Sequence, residues 1–249
     1  MCLILFAYRS VPGHPLVVAA NRDEFHGRAA APADYWSDHP QILAGRDLVA
    51  GGTWLGCTKT GRFAALTNFS TDQDPETPIS RGSLVHSFLA GTEGAESYAH
   101  SIEGSAYAGF NLLLFDGTEL VCTSNRGATE VLTPGFYGLS NAEFGARWPK
   151  CIDGAARLQS IVSSEHDTEH LIALLRDDDV PADERLPHRG RPIDMERRVS
   201  PIFIDGDEYG TRASTLIYLS QERVRFVEQS YQPHGQSNGR VAYEFDLEI

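Results

Sequence analysis

Two unbroken apolar runs open the chain, Cys2-Leu3-Ile4-Leu5-Phe6-Ala7-Tyr8 and Leu16-Val17-Val18-Ala19-Ala20. Short continuous runs of strand formers predict buried strands. The stretch between them, residues 10–15, is dense in turn residues, so the pair reads as an antiparallel hairpin. The hairpin brings the end of the second strand beside the start of the first. There the pattern turns polar, at Asn21-Arg22-Asp23-Glu24. Residues 27–40 carry few apolar positions and two X-Pro steps, which predicts a surface connection. Apolar runs over residues 51–58 and 63–68 flank a turn at residues 59–62, forming a second predicted hairpin. The glycine pair Gly51-Gly52 before Trp54 indicates a backbone that bends sharply or admits something close.

Residues 71–78 read as a polar loop. Helical spacing then appears over residues 80–90, with Ser83 as N-cap and Leu84, Val85, Phe88 and Leu89 on one face. A weaker helix follows at about residues 92–101. Phe110 to Phe115 and Glu119 to Ser124 flank an Asp-Gly turn and predict a third hairpin. A strand over residues 135–141 ends at Asn141, echoing Leu66-Thr67-Asn68. Pro149 opens a helix expected to turn Ile152, Ala156, Leu158 and Ile161 inward, and Thr168 caps another presenting Leu171, Ile172, Leu174 and Leu175. Residues 177–192 lack periodicity and read as an exposed excursion, with a lid as one role for it. Strands close the chain at residues 202–204, 214–219, 224–231 and 241–247. Strands, helices, strands, helices, strands is the order of an α+β fold: a four-layer αββα sandwich, with residues 1–249 as one domain.

Composition narrows the function. Hydrophobic residues make up 41% and charged ones 22%, values of an ordinary globular chain. The net charge of −13 repels a phosphate backbone, which argues against nucleic-acid binding. The four cysteines show neither a C-x-x-C pair nor Cys/His spacing typical of zinc, so no metal is expected. The start lacks a basic n-region and is too short for a signal h-region, and no later run approaches a membrane span. The expected compartment is the cytoplasm, with the thiols reduced.

Candidate chemistry concentrates at Cys2. Cys is small enough at the second position for methionine aminopeptidase to remove Met1. Cys2 would then carry a nucleophilic sulfur and a free α-amine that can serve as its base. The alternative is a Cys2 that simply packs. The scattered histidines, including the His166/His170 pair astride a helix start, read as solvated surface residues.

Met1-Cys2 followed by Asn21-Arg22-Asp23-Glu24, Gly52-Thr53-Trp54-Leu55-Gly56 and Leu66-Thr67-Asn68 resembles the NRDE family, the transport and Golgi organisation protein 2 family, over essentially the whole chain. That family looks like the N-terminal nucleophile (Ntn) hydrolases, and among them it is most similar to the choloylglycine hydrolase and penicillin V acylase group, which uses an N-terminal Cys on amide bonds. The resemblance implies a catalytic set: Cys2 as nucleophile, Asp23 holding the amine, Asn68 and Asn141 as oxyanion donors, and Arg212 near the thiol. Asn21, Arg22 and Trp54 are the expected substrate-binding residues. The hydrolases carry an arginine at the position of Ala20. Here the arginine is Arg22, on the same face if the strand continues; the alternative is that it turns away and pairs with Glu24 or another carboxylate.

The expected function is that of an amidohydrolase acting on a small-molecule C–N bond without a cofactor. The alternative is a non-catalytic carrier. The family's connection with haem mobilisation and with Golgi and lipid homeostasis implies a pocket for haem or another hydrophobic ligand. Loops at residues 27–40, 71–78 and 177–192 are expected to set pocket specificity.

Overall fold

The fold comes from a computed structural model and is described for residues 2–69, 74–76, 78–164, 168–187 and 189–248. Met1, His166 and part of the 71–78 loop lie outside the described residues. The opening hairpin is β1 (Cys2–Val11) and β2 (His14–Phe25), turned at Pro12-Gly13. Then come β3 (Ala30–Tyr35), β4 (Ile42–Asp47), β5 (Leu55–Thr58) and β6 (Phe63–Asn68). Helices α1 (Gly82–Ala90) and α2 (Ala95–Ser101) precede β7 (Phe110–Phe115), β8 (Leu120–Ser124), β9 (Glu130–Val131) and β10 (Gly135–Leu139). Helices α3 (Pro149–Ser164), α4 (Thr168–Leu175) and α5 (Ile193–Val199) lead into β11 (Tyr209–Leu219), β12 (Arg223–Tyr231) and β13 (Ser237–Asp246).

The strands form two sheets, β10-β1-β2-β11-β12-β13 and β3-β4-β5-β6-β7-β8-β9, antiparallel at every pairing. Side-chain alternation divides their apolar residues among three cores. Ile4, Phe6, Val18, Phe63, Leu113, Phe115 and Phe226 fill the space between the sheets. Leu3, Leu5, Val17 and Ala19 face Leu158, Leu171 and Leu175 of α3 and α4. Ala64, Leu112 and Leu114 face Leu84, Val85 and Phe88 of α1. The result is the αββα sandwich expected from the element order. Burying each large side chain stabilises it by about 2 kcal/mol, so strands apolar on both faces, as in β1, hold the interior.

Several local expectations are corrected. Residues 27–40 contain β3, an edge strand that tolerates Pro32 and has an irregular register between Ala31 and Asp34. Ser83 lies inside α1, whose N-cap is Arg81; the Ser83 hydroxyl donates back to the Ser80 carbonyl at 2.7 Å. On α3, Ile152 and Ala156 face outward. The buried stripe is Cys151, Ala155, Leu158 and Val162, with Gly154 seated on Leu5. Residues 202–204 are buried but form no strand. The Ile202 carbonyl accepts from Asn21, the Phe203 N–H donates to Asp177, and the Ile204 N–H donates to the Thr211 hydroxyl. The glycine pair has the anticipated role. Gly51 takes φ +77, and a Cβ on Gly52 would lie 2.6 Å from the backbone of Gly82, so α1 can start against this turn only if Gly52 stays bare.

Candidate active site

Hairpin register decides the site. Cys2 pairs with Arg22, Leu3 with Asn21 and Ile4 with Ala20. The polar tetrapeptide does not end the strand, because β11 pairs with β2 as far as Tyr209 opposite Phe25 and carries the strand through it. Alternation then splits the tetrapeptide between two faces. Ala20 and Arg22 share the inter-sheet face with Ile4 and Cys2. Ala20 is fully buried in the inter-sheet core, while Arg22 reaches the open end of that core. Its guanidinium lies 3.6 Å from Asp47 and 3.8 Å from Glu24, and its Nη1 is buried without a hydrogen-bond partner.

Asn21 and Asp23 point the other way. The Asn21 side chain donates to the carbonyls of Leu175 (2.8 Å) and Ile202 (2.9 Å) and accepts from the Ser214 hydroxyl at 2.6 Å. Fully buried, it braces the helical layer and does not line the pocket, contrary to the substrate-binding role expected for it. Asp23 Oδ1 accepts from the Thr211 hydroxyl at 2.7 Å. Lys150, at the start of α3 and 4% exposed, donates to the Val199 carbonyl at 3.1 Å. Burial pushes the Asp23 carboxyl up and the Lys150 ammonium down, and the charge of each opposes the other's shift.

β10 lies along β1, so the residues just past its end meet Cys2. The Cys2 backbone N–H donates to Asn141 Oδ1 at 3.1 Å, and the Ser140 hydroxyl donates to the Cys2 carbonyl at 2.8 Å. Asn141 Nδ2 donates to the Asn68 carbonyl at 2.7 Å, which joins the ends of β6 and β10. Thr67 and Asn111 both donate to the Ser140 carbonyl, at 2.5 and 3.0 Å, and fix that bend. Both ends of the Asn141 amide are therefore engaged with backbone. Asn68 has its carbonyl in this network and lines the pocket.

The pocket occupies about 430 Å³ between the sheet ends, with Cys2, Arg22, Trp54, Asn68, Arg81 and Arg212 in its lining. Cys2 is 6% exposed. Burial raises its thiol above the ordinary value of 9.0, while the Asp23 backbone N–H and Arg22 pull it back. Arg212 Nη1 donates to the carbonyls of Phe25 (3.2 Å) and Arg28. Arg28, residues 30–32 and residues 78–82 supply part of the wall, but no described residue of 177–192 does, so that excursion is not a lid over this pocket. Among the described residues, the carboxylates placed closely enough to share an ion are Asp177, Asp178 and Asp179, away from the pocket.

The structure thus brings Cys2, Asp23, Asn68, Asn141, Arg22, Trp54 and Arg212 to one end of the sandwich. Sequence reading missed Ser140, Thr211, Lys150 and Arg81. Lys150 reads as an ordinary solvated lysine at a helix start. Arg81 had one legible signal, the Gly82 that follows it and packs on Gly52.

The profile of the family described as Transport and Golgi organisation 2 matches residues 1–233. The chain is 34% identical over 275 residues to the Transport and Golgi organization 2 homolog of Mus musculus, and equally to the Homo sapiens homolog, covering 100% of each chain. It is 27% identical to the Drosophila melanogaster protein, covering 96% of both. Among solved structures, the Caenorhabditis elegans ortholog of N-acylethanolamine-hydrolyzing acid amidase superposes with TM-score 0.56 at 9% identity, covering 87% of this chain and 92% of that one. A mutant conjugated bile acid hydrolase from Clostridium perfringens gives TM-score 0.53 at 9% identity, covering 100% and 97%. At such identities the likeness is one of fold: the sandwich is that of the Ntn hydrolases.

Proposed function

The chain belongs to the Transport and Golgi organisation 2 family, and from that premise we propose that it is an N-terminal cysteine amidohydrolase acting on a small-molecule amide. The observation that carries this reading is the Asn141 Oδ1 contact to the Cys2 nitrogen, beside a thiol that lines a pocket. With Met1 removed, that nitrogen is the α-amine. Its reference pKa of roughly 8 leaves a neutral fraction able to take the thiol proton. Asn141 orients the amine from one side and Asp23 supports its charge from behind the strand. The sulfur attacks the amide carbon and the carbonyl oxygen becomes an oxyanion that the Asn68 side-chain amide, at the pocket wall, stabilises. Collapse expels the amine leaving group with the proton held by the α-amine, leaving a thioester on Cys2. Water attacks the thioester, releases the acid and restores the thiol. The names of the two structural neighbours, an acid amidase and a conjugated bile acid hydrolase, agree with this reaction class.

Intact-mass measurement after incubation with penicillin V tests it. A covalent adduct of one probe per chain, mapped to Cys2 and absent in Cys2→Ser, is the expected result. Labelling unchanged in Cys2→Ser would sink the enzyme reading.

A further inference from the structure

We infer that the pocket takes an anionic ligand, whose carboxylate or phosphate group is clamped by Arg22 and Arg212 next to the Cys2 thiol. The inference names a substrate class for the site above and rests on that reading only in calling the ligand a substrate. Arg22 stands directly opposite Cys2 across the hairpin, and side chains so paired sit about 5 Å apart at Cβ. Arg212 projects into the same pocket. The two guanidiniums are near enough to repel each other.

Arg22 pairs with Asp47 and Glu24 and Arg212 Nη1 reaches two backbone carbonyls, yet each guanidinium keeps one unused donor. Arg22 Nη1 and Arg212 Nε are both buried without a hydrogen-bond partner. The two carboxylates that pair with Arg22 are shared with other donors. Asp47 accepts from Arg28 Nε at 2.6 Å and from the N–H groups of Val49 and Ala50 at 2.9 and 3.0 Å. Glu24 accepts from the Phe25 N–H at 2.9 Å. Arg28, Arg46 and Arg81 also line the pocket, so five arginines face the four carboxylates Asp23, Glu24, Asp47 and Glu228. In a chain of net charge −13, a pocket whose lining arginines outnumber its carboxylates runs against the protein's own average field. A bidentate oxyacid is the group whose geometry matches the guanidinium fork and fills its orphaned donors. Trp54, Leu66 and Ile79 on the remaining wall suit an apolar portion of the same ligand.

Alkylation of Cys2 by iodoacetate and by iodoacetamide tests the clamp. The two reagents have the same size and both need the thiolate, so any effect of arginine on thiol ionisation cancels in their rate ratio and recognition of the carboxylate remains. The wild-type ratio, followed by peptide mapping at Cys2, should exceed that of free cysteine about tenfold. It should collapse toward the free-cysteine value in Arg22→Gln and in Arg212→Gln, and in wild type at high sodium chloride. A wild-type ratio equal to that of free cysteine, or one insensitive to salt, overturns the inference even if a variant fails to fold. Protection of Cys2 from iodoacetamide separates the ligand sources. Dodecanoate or dodecyl phosphate should protect where dodecanol does not, the more potent naming the oxyacid; equal protection by dodecanol would contradict an anionic ligand. Neither assay requires amide turnover or Met1 removal, so a failure here is distinct from a failure of the amidohydrolase reading.

Discussion

The side-chain oxygen of Asn141 accepts the backbone N–H of Cys2 at 3.1 Å, across a separation of 139 positions in the chain. That contact fixes the atom that becomes the α-amine, and it does so from the end of β10, which reaches Cys2 only because β10 pairs with β1. Removing it should misplace the base without changing the thiol. We expect Asn141→Ala to slow penicillin V acylation by about 100-fold. Iodoacetamide alkylation above pH 9 should stay within a factor of two or so, since it needs no base. Equal losses in both assays would mark Asn141 as purely structural.

Asp23 and Lys150 are opposite charges buried on the helix-facing side of β2. Taking away one leaves the other uncompensated, so Asp23→Asn and Lys150→Met should each cost about 3 kcal/mol in urea unfolding. The double variant should recover much of that loss, giving a coupling that two independent sites would not show. Additive losses would mean that the two groups do not interact.

Asn21 separates support from binding. Asn21→Ala leaves the carbonyls of Leu175 and Ile202 and the Ser214 hydroxyl without their partner. A stability loss of about 2–3 kcal/mol follows, read by thermal or urea denaturation. Acylation of Cys2 in the folded protein should be unchanged, because the side chain does not border the pocket. A selective fall in acylation would return Asn21 to the substrate-binding residues.

Asp116 gives the acid limb a specific component. Against the opposing effect of burial, its carboxylate accepts from the Thr118 hydroxyl and from the N–H groups of Glu119, Ala95 and Thr118, which holds its pKa down at about 2. A depressed carboxyl contributes stability above its unfolded value of about 4, and that contribution is lost as pH falls through about 2. Solvent screening at this half-exposed turn limits it to about 1 kcal/mol. Asp116→Asn should therefore lower stability at pH 7 and flatten the decline between about pH 4 and pH 2; an unchanged acid limb would contradict the capping role.

Much of this was legible in the sequence, and the exceptions have physical reasons. The opening hairpin and the sandwich follow from the apolar runs and their order along the chain. The continuation of β2 through Asn21-Arg22-Asp23-Glu24 was hidden, since four polar residues resemble a strand end until β11 supplies the backbone partner. β3 was obscured by Pro32, which only an edge position tolerates. Resemblance alone nominated Asn68 and Asn141, and their meeting through the Asn68 carbonyl depends on two strands from different sheets ending at one place. At Ala20, where the resemblance leads one to expect an arginine, the methyl packs in the inter-sheet core and Arg22, on the same face, lines the pocket. Lys150 was illegible because nothing local distinguishes a buried lysine from a solvated one.

The central claim is that Cys2 works as an N-terminal nucleophile, and the mature N-terminus tests it most directly. Intact mass and N-terminal sequencing of the purified protein should show Met1 absent and Cys2 first, with penicillin V acylation confined to that form. Retention of Met1 on protein that still acylates, or complete removal of Met1 with no acylation, would contradict the account and leave the carrier reading, with haem as its first ligand to titrate.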